Sequence, residues 1–125
     1  MKYRKFGSTG IDISEIVFGA GAVGGVVFQT DRDTRIEAVR RGLDYGINWI
    51  DTAASYGDGQ SEGKLGWILK ELDADPYLST KVRIGLEHLG DITSEIQRSM
   101  EASLQRLQRE RVNLFQLHTA VTNER

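Results

Sequence analysis

The chain contains no cysteine. Disulfides, thiolate metal sites and a cysteine nucleophile are therefore excluded, and the composition fits a reducing compartment. Proline is nearly absent too, with Pro76 the single case, and no low-complexity segment or linker stands out. Neither sign of charge dominates: 16 basic residues meet 18 acidic ones, for a net charge of −2. That balance gives no bulk electrostatic reason to expect nucleic acid or an anionic membrane as partner. No apolar run is long enough to span a bilayer. The start, Met1-Lys2-Tyr3-Arg4-Lys5, is basic, but no apolar segment of signal-peptide length follows. A cytoplasmic protein is expected. What is present is ordinary for a globular chain: 125 residues, 39% hydrophobic and 27% charged, enough for one domain.

The turn-rich cluster Gly7-Ser8-Thr9-Gly10 lies between Tyr3 to Phe6 and Ile11 to Ile13, and predicts a small N-terminal hairpin. Ile16-Val17-Phe18 is a short β-type run ending at Gly19. After a glycine-rich loop, Asp31 and Asp33 offer N-caps for a helix with Ile36, Val39 and Leu43 on one face. Gly46 sits where that helix should end. The pattern then repeats. Ile47 to Ala53 reads as a strand, and Ser61 as the cap of a helix with Leu65, Ile68, Leu69 and Leu72 on a stripe. Asp75-Pro76 stops it, and Tyr77 to Val82 is the next strand. Ser94 with Gln97 forms a capping box for a helix striped by Ile96, Met100, Leu104 and Leu107. Val112 to Leu117 is the last strand. The period is about 30 residues, the size of one βα unit, and implies a parallel sheet. An open doubly wound sheet and a (β/α)8 barrel both fit.

Gly19-Ala20-Gly21-Ala22-Val23-Gly24 matches G-x-G-x-x-G after a strand. A dinucleotide-binding Rossmann turn needs a helix to begin inside the motif. Here the helix-start signals wait until Asp31 to Thr34, so the context fails. A flexible βα loop, or a loop whose glycines let the backbone approach a ligand, fits better.

Asp51 and Lys81 stand near the ends of the second and third of these strands, His118 ends the fourth, and Tyr56 follows the second. In a βα-repeat protein strand ends gather on one face. Taken singly, Asp51 and Lys81 are a structural ion pair, Tyr56 a packing aromatic and His118 a hydrogen-bonded strand end. Together they form an acid, a phenol, an amine and an imidazole that can deliver a proton to a carbonyl oxygen. A tyrosine hydroxyl is a weak acid, with a reference pKa of about 10, and a nearby ammonium favours its phenolate. On this reading Asp51 holds Lys81 in place and His118 orients the carbonyl by a hydrogen bond. None of these groups is a hydride donor, so a cofactor must supply one. His88 is expected to be solvated, Trp67 to pack, and Glu62 to favour the start of its helix. Arg98, Arg106 and Arg109 read as a solvated helix face.

At these residues the sequence resembles the aldo-keto reductases. The matching segments are Tyr3 to Gly10, Gly46 to Ala53, Tyr56 to Glu62, Ser79 to Val82, Ser103 to Leu107 and Phe115 to His118, in family order over nearly the whole chain. The resemblance implies a (β/α)8 barrel that reduces an aldehyde or ketone to an alcohol. Its hydride would come from NADPH, with NADH not excluded, and its catalytic tetrad would be Asp51, Tyr56, Lys81 and His118. Tyr56 would be the general acid. Gly19, Ala20, Gly21 and Asp51 would lie near the nicotinamide end of the cofactor. The family often carries Gly-Thr-Trp after the first strand, where this chain has Gly21-Ala22-Val23 or, shifted, Gly19-Ala20-Gly21.

A barrel of this type takes about 250 residues, so residues 1–125 correspond to the first four βα units, the N-terminal part of the barrel domain. A half barrel leaves sheet edges and an inner face open, so a non-catalytic half barrel that binds a partner or self-associates is the alternative. Ile50, Leu78, Leu114, Phe115 and Leu117 read as unadapted barrel strands, with no clear polar set on the inner face.

Overall fold

The computed structural model describes residues 1–21, 25–85 and 90–119. His88, Ala22 to Gly24 in the glycine motif, and the chain beyond Thr119 lie outside the described residues.

The N-terminal hairpin forms as expected from β1 (Tyr3–Lys5) and β2 (Asp12–Ser14), antiparallel, with Tyr3 opposite Ser14. Then come β3 (Phe18–Gly19), α1 (Arg32–Asp44), β4 (Trp49–Asp51), α2 (Gln60–Glu71), β5 (Tyr77–Val82), α3 (Ile92–Leu107) and β6 (Leu114–Leu117). The larger sheet is parallel and runs β3-β4-β5-β6 in chain order. Sequential order without reversal is that of a barrel wall, not of a doubly wound sheet. The four strands do not close, so the chain forms a half barrel. Helix α1 begins at Arg32, well after the glycine motif, which removes the Rossmann reading.

Helix starts depart from expectation twice. Asp31 caps α1 as read, its carboxylate accepting from Thr34 N at 3.0 Å. Helix α2, however, starts behind Gly59, a left-handed residue that makes no side-chain cap bond. The Ser61 hydroxyl is drawn away to Ala20 O at 2.6 Å and Thr52 Oγ1 at 2.9 Å. Helix α3 is capped by Asp91, which accepts from Ser94 N at 3.2 Å, so Ser94 lies within the first turn. The Asp91 carboxylate, three residues upstream, takes the Ser94 amide that a capping box would have given to the Gln97 side chain.

The core lies between the sheet and the helices. Ile50, Leu78, Val39, Leu65, Ile68, Leu69 and Leu107 are buried there. Burial of apolar surface, which stabilises by about 25 cal/mol per Å² removed from water, drives these helices onto the sheet. Helix α3 approaches α2 where Gly66 leaves room for the backbone of Leu107.

Register corrects the reading of the inner face. Asp51 pairs with Ser79, Ser79 with Leu114, and Lys81 with Gln116. Since side chains alternate along a strand, Trp49, Asp51, Tyr77, Ser79, Lys81, Leu114 and Gln116 share the face away from the helices. Ile50 and Leu78 point the other way, into the helix-covered core. The inner face therefore does carry a polar set: Asp51, Ser79, Lys81 and Gln116. Phe6 of the hairpin region covers part of it, meeting Trp49 edge-on at 5.1 Å between ring centres.

Candidate active site

Short pieces of chain deliver each group. Asp51 is the last residue of β4, and Lys81 is the next to last of β5. His118 follows β6 and stays in line with the sheet because its amide donates to Val82 O at 2.7 Å. Tyr56 lies in the turn after β4, where its amide bonds Ala53 O at 3.0 Å and its carbonyl accepts from Ser61 N at 3.2 Å. That turn passes through three positive φ angles in a row, at Gly57 (60°), Asp58 (54°) and Gly59 (83°). Glycine at two of the three positions makes the tight path affordable to an L-chain.

The four groups meet at the C-terminal ends of the strands. Lys81 Nζ is 2.5 Å from Asp51 Oδ2 and donates to Thr52 O at 2.9 Å. The pair is partly withdrawn from water, with side-chain exposures of 14% for Lys81 and 29% for Asp51. The same ammonium sits 5.1 Å from the centre of the Tyr56 ring, within cation–π range. Tyr56 in turn meets His118 edge-on, ring centres 5.6 Å apart and planes at 86°. His118 is exposed, and its Nδ1 lies 3.2 Å from Ser55 Oγ.

The loop after β3 borders this cluster. Gly19 is exposed, and a Cβ there would meet nothing within 4 Å, so the backbone is open to an approaching group. Gly21 backs onto the Tyr56 ring, a built Cβ lying 3.4 Å from its Cε2. Ala20 behaves differently. It is 1% exposed, its amide donates to Asp51 O at 2.8 Å, and its carbonyl accepts from Ser61, so it anchors the loop.

Several contacts escaped the sequence reading. Ser79 bridges Trp49 and Asp51, and Ser55 reaches His118. The signal for Ser79 was strand alternation: it stands two residues before Lys81 and so on the same face. Arg106 and Arg109 are not a solvated face. Arg106 pairs with the fully buried Glu62, and Arg109 with Asp75 and Ala74 O. Arg98 fits the expectation, an exposed partner of Glu95. Trp67 packs on the core as expected, with Arg32 5.1 Å over its ring.

An open cavity of about 380 Å³ lies on the inner face, lined by Phe6, Ile13, Val17, Gly19, Trp49, Asp51, Ser79, Leu114 and Gln116. A cavity of about 430 Å³ between the ends of α2 and α3 holds none of the candidate residues. Among the described residues no cluster of three metal-ligating side chains occurs, and no helix is long and apolar enough to cross a membrane.

Parallel βα units with an ion pair, a phenol and an imidazole at their strand ends define a half barrel of the (β/α)8 type with a polar site at its mouth. The sequence matches the aldo/keto reductase family over residues 15–124, and the chain belongs to that family. It is 36% identical to aldo-keto reductase YhdN of Bacillus subtilis, a match covering 94% of this chain and 38% of that protein. The holo form of aldo-keto reductase AKR11C1 from Bacillus halodurans superposes with a TM-score of 0.77 at 32% identity, over 97% of this chain and 41% of that one. An aldo-keto reductase from Klebsiella pneumoniae, solved in complex with NADPH, gives 0.71 at 30% identity, over 89% of this chain and 37% of that one. The chain thus spans about two fifths of the length of the relatives it matches.

Proposed function

We propose that residues 1–125 are the N-terminal part of a reductase barrel domain and carry its proton-delivery machinery. The reaction is reduction of an aldehyde or ketone to an alcohol. The observation that carries this reading is the Asp51–Lys81 ion pair at 2.5 Å with its ammonium 5.1 Å from the Tyr56 ring.

Each residue then has one task. Tyr56 gives its hydroxyl proton to the carbonyl oxygen as that oxygen gains negative charge. Lys81 stabilises the phenolate left behind, and Asp51 keeps Lys81 in place. His118, edge-on to Tyr56, donates a hydrogen bond that orients the carbonyl. A nicotinamide cofactor, NADPH in the first instance, supplies the hydride when bound. Gly19 and Gly21 with Asp51 would border its reactive end, a role that the open space at Gly19 suits. Ala20 serves by anchoring that loop rather than by offering its own backbone groups.

Titration of the purified chain with NADPH, read by quenching of Trp49 and Trp67 fluorescence, tests the reading. Saturable binding is expected. A folded sample that binds no NADPH would remove the activity from this chain.

A second reading is favoured by two observations. The exposed Leu117 on the edge strand β6, 48% accessible, and the open inner cavity suit a half barrel that associates with itself. Sedimentation over a range of concentrations tests it, and a strictly monomeric chain would dismiss it.

A further inference from the structure

Beside the candidate tetrad, one buried hydroxyl makes hydrogen bonds whose directions are fixed by chemistry. Ser79, on β5, is 2% exposed. Its Oγ lies 3.0 Å from Trp49 Nε1 and 2.6 Å from Asp51 Oδ1. An indole nitrogen only donates, so Ser79 accepts from Trp49. Its single proton is then free for Asp51, whose ionised carboxylate only accepts. The result is a one-way chain from Trp49 through Ser79 to Asp51 Oδ1, while Asp51 Oδ2 holds Lys81 at 2.5 Å.

A carboxylate gripped at one oxygen can swing about its Cβ–Cγ bond, and one gripped at both cannot do so without breaking a charge-assisted bond. Trp49 is itself fixed, 4% exposed and packed between Phe6 and Tyr77. The far end of the chain is therefore rigid.

We propose that Ser79 is a positioning residue. Held by Trp49, it sets the plane of the Asp51 carboxylate and so keeps the Lys81 ammonium on Thr52 O and against the Tyr56 ring. The catalytic meaning of this rests on the function proposed above; the positioning itself does not. The competing account is a buried serine that merely satisfies its own hydroxyl. Removing such a serine would cost stability but leave Lys81 undisturbed.

The test observes the Lys81 ammonium by nitrogen-15 NMR in the 125-residue chain, assigned with Lys81→Arg, beside urea unfolding of each variant. In the wild type the Lys81 ammonium, bonded to Asp51 and Thr52 O, is expected to exchange slowly with water. Ser79→Ala is expected to speed that exchange about tenfold, the scale of one hydrogen bond to a charged group. Ser79→Thr, which keeps the hydroxyl, is expected to restore the slow rate. Unchanged exchange in Ser79→Ala, or equally fast exchange in Ser79→Thr, would overturn the proposal. Should Ser79→Ala fail to fold, Trp49→Phe decides, since it frees the serine to rotate: faster Lys81 exchange supports the proposal and an unchanged rate refutes it. Failure of the reductase reading would look different, as absent NADPH binding with the Lys81 response intact.

Discussion

Glu62, fully buried on α2, accepts from Arg106 Nε on α3 at 2.7 Å and from Thr80 Oγ1 on β5 at 2.5 Å. One carboxylate thus joins two helices and a strand. A buried charge stripped of its partner is destabilising even where the intact pair contributes little net stability. Arg106→Ala should lower the unfolding free energy by about 3 kcal/mol, the low end for such a loss because the Arg106 side chain is 34% exposed. Glu62→Gln, which removes the charge and keeps hydrogen-bonding capacity, should cost less. Urea unfolding measures both, and an Arg106→Ala effect no larger than that of a surface substitution would refute the account.

Gly66 is the point where α2 and α3 touch most closely. A Cβ added there would fall 2.4 Å from Leu107 O and 2.7 Å from Arg106 O, both backbone atoms that no rotamer change can move. Alanine is the better helix former by about 1 kcal/mol, so propensity alone favours Gly66→Ala. The clash reverses the sign, and a net loss of about 1–3 kcal/mol is expected, the scale of overpacking. A more thermostable Gly66→Ala would mean that the two helices are free to separate.

Two helix caps make stability depend on acid. The Thr34 hydroxyl, followed by the Thr34 amide, holds the Asp31 carboxyl below its ordinary value, and Ser94 does the same for Asp91. A carboxyl with a depressed folded-state value binds its proton more readily when unfolded. Its contribution is therefore complete above the unfolded value, about 4, and is lost as pH falls through the folded one. Helicity at α1 and α3 should decline on acidification in that window. Asp31→Asn, which caps without titrating, should flatten the decline at α1 when followed by amide hydrogen exchange. An acid profile identical to the wild type would show that the Asp31 cap does not contribute.

Strand β5 was legible to the residue, because Tyr77 to Val82 follows a proline stop and pairs on both sides. Strand β4, expected over Ile47 to Ala53, spans only Trp49–Asp51, the three residues that pair with Tyr77, Leu78 and Ser79 of β5. The caps assigned to Ser61 and Ser94 failed because capping rules see only nearby sequence. Ser61 is claimed by Ala20 and Thr52 from other elements, and Ser94 by Asp91. Asp51, Tyr56, Lys81 and His118 could be grouped in advance because strand ends converge in any βα repeat. Ser79, Ser55 and the Glu62–Arg106 pair depend on register and helix docking, which a linear pattern does not carry.

Replacing Tyr56 by phenylalanine separates chemistry from packing. The ring lies against Gly21, His118 and the Lys81 ammonium, and all three contacts survive loss of the hydroxyl. Fold and NADPH affinity should therefore be unchanged. Only the proton given to the carbonyl oxygen is lost, and general acid catalysis contributes typically about 10²–10⁴-fold. Carbonyl reduction by Tyr56→Phe should fall by that factor, measured in whichever assembly of the chain binds NADPH. Lys81→Met should also lose activity but should weaken the fold as well, because it leaves Asp51 without its cation. A Tyr56→Phe protein that reduces carbonyls as fast as the wild type would take the proton-donor role away from Tyr56. The Lys81 ion pair would then be a structural pair at the mouth of a half barrel.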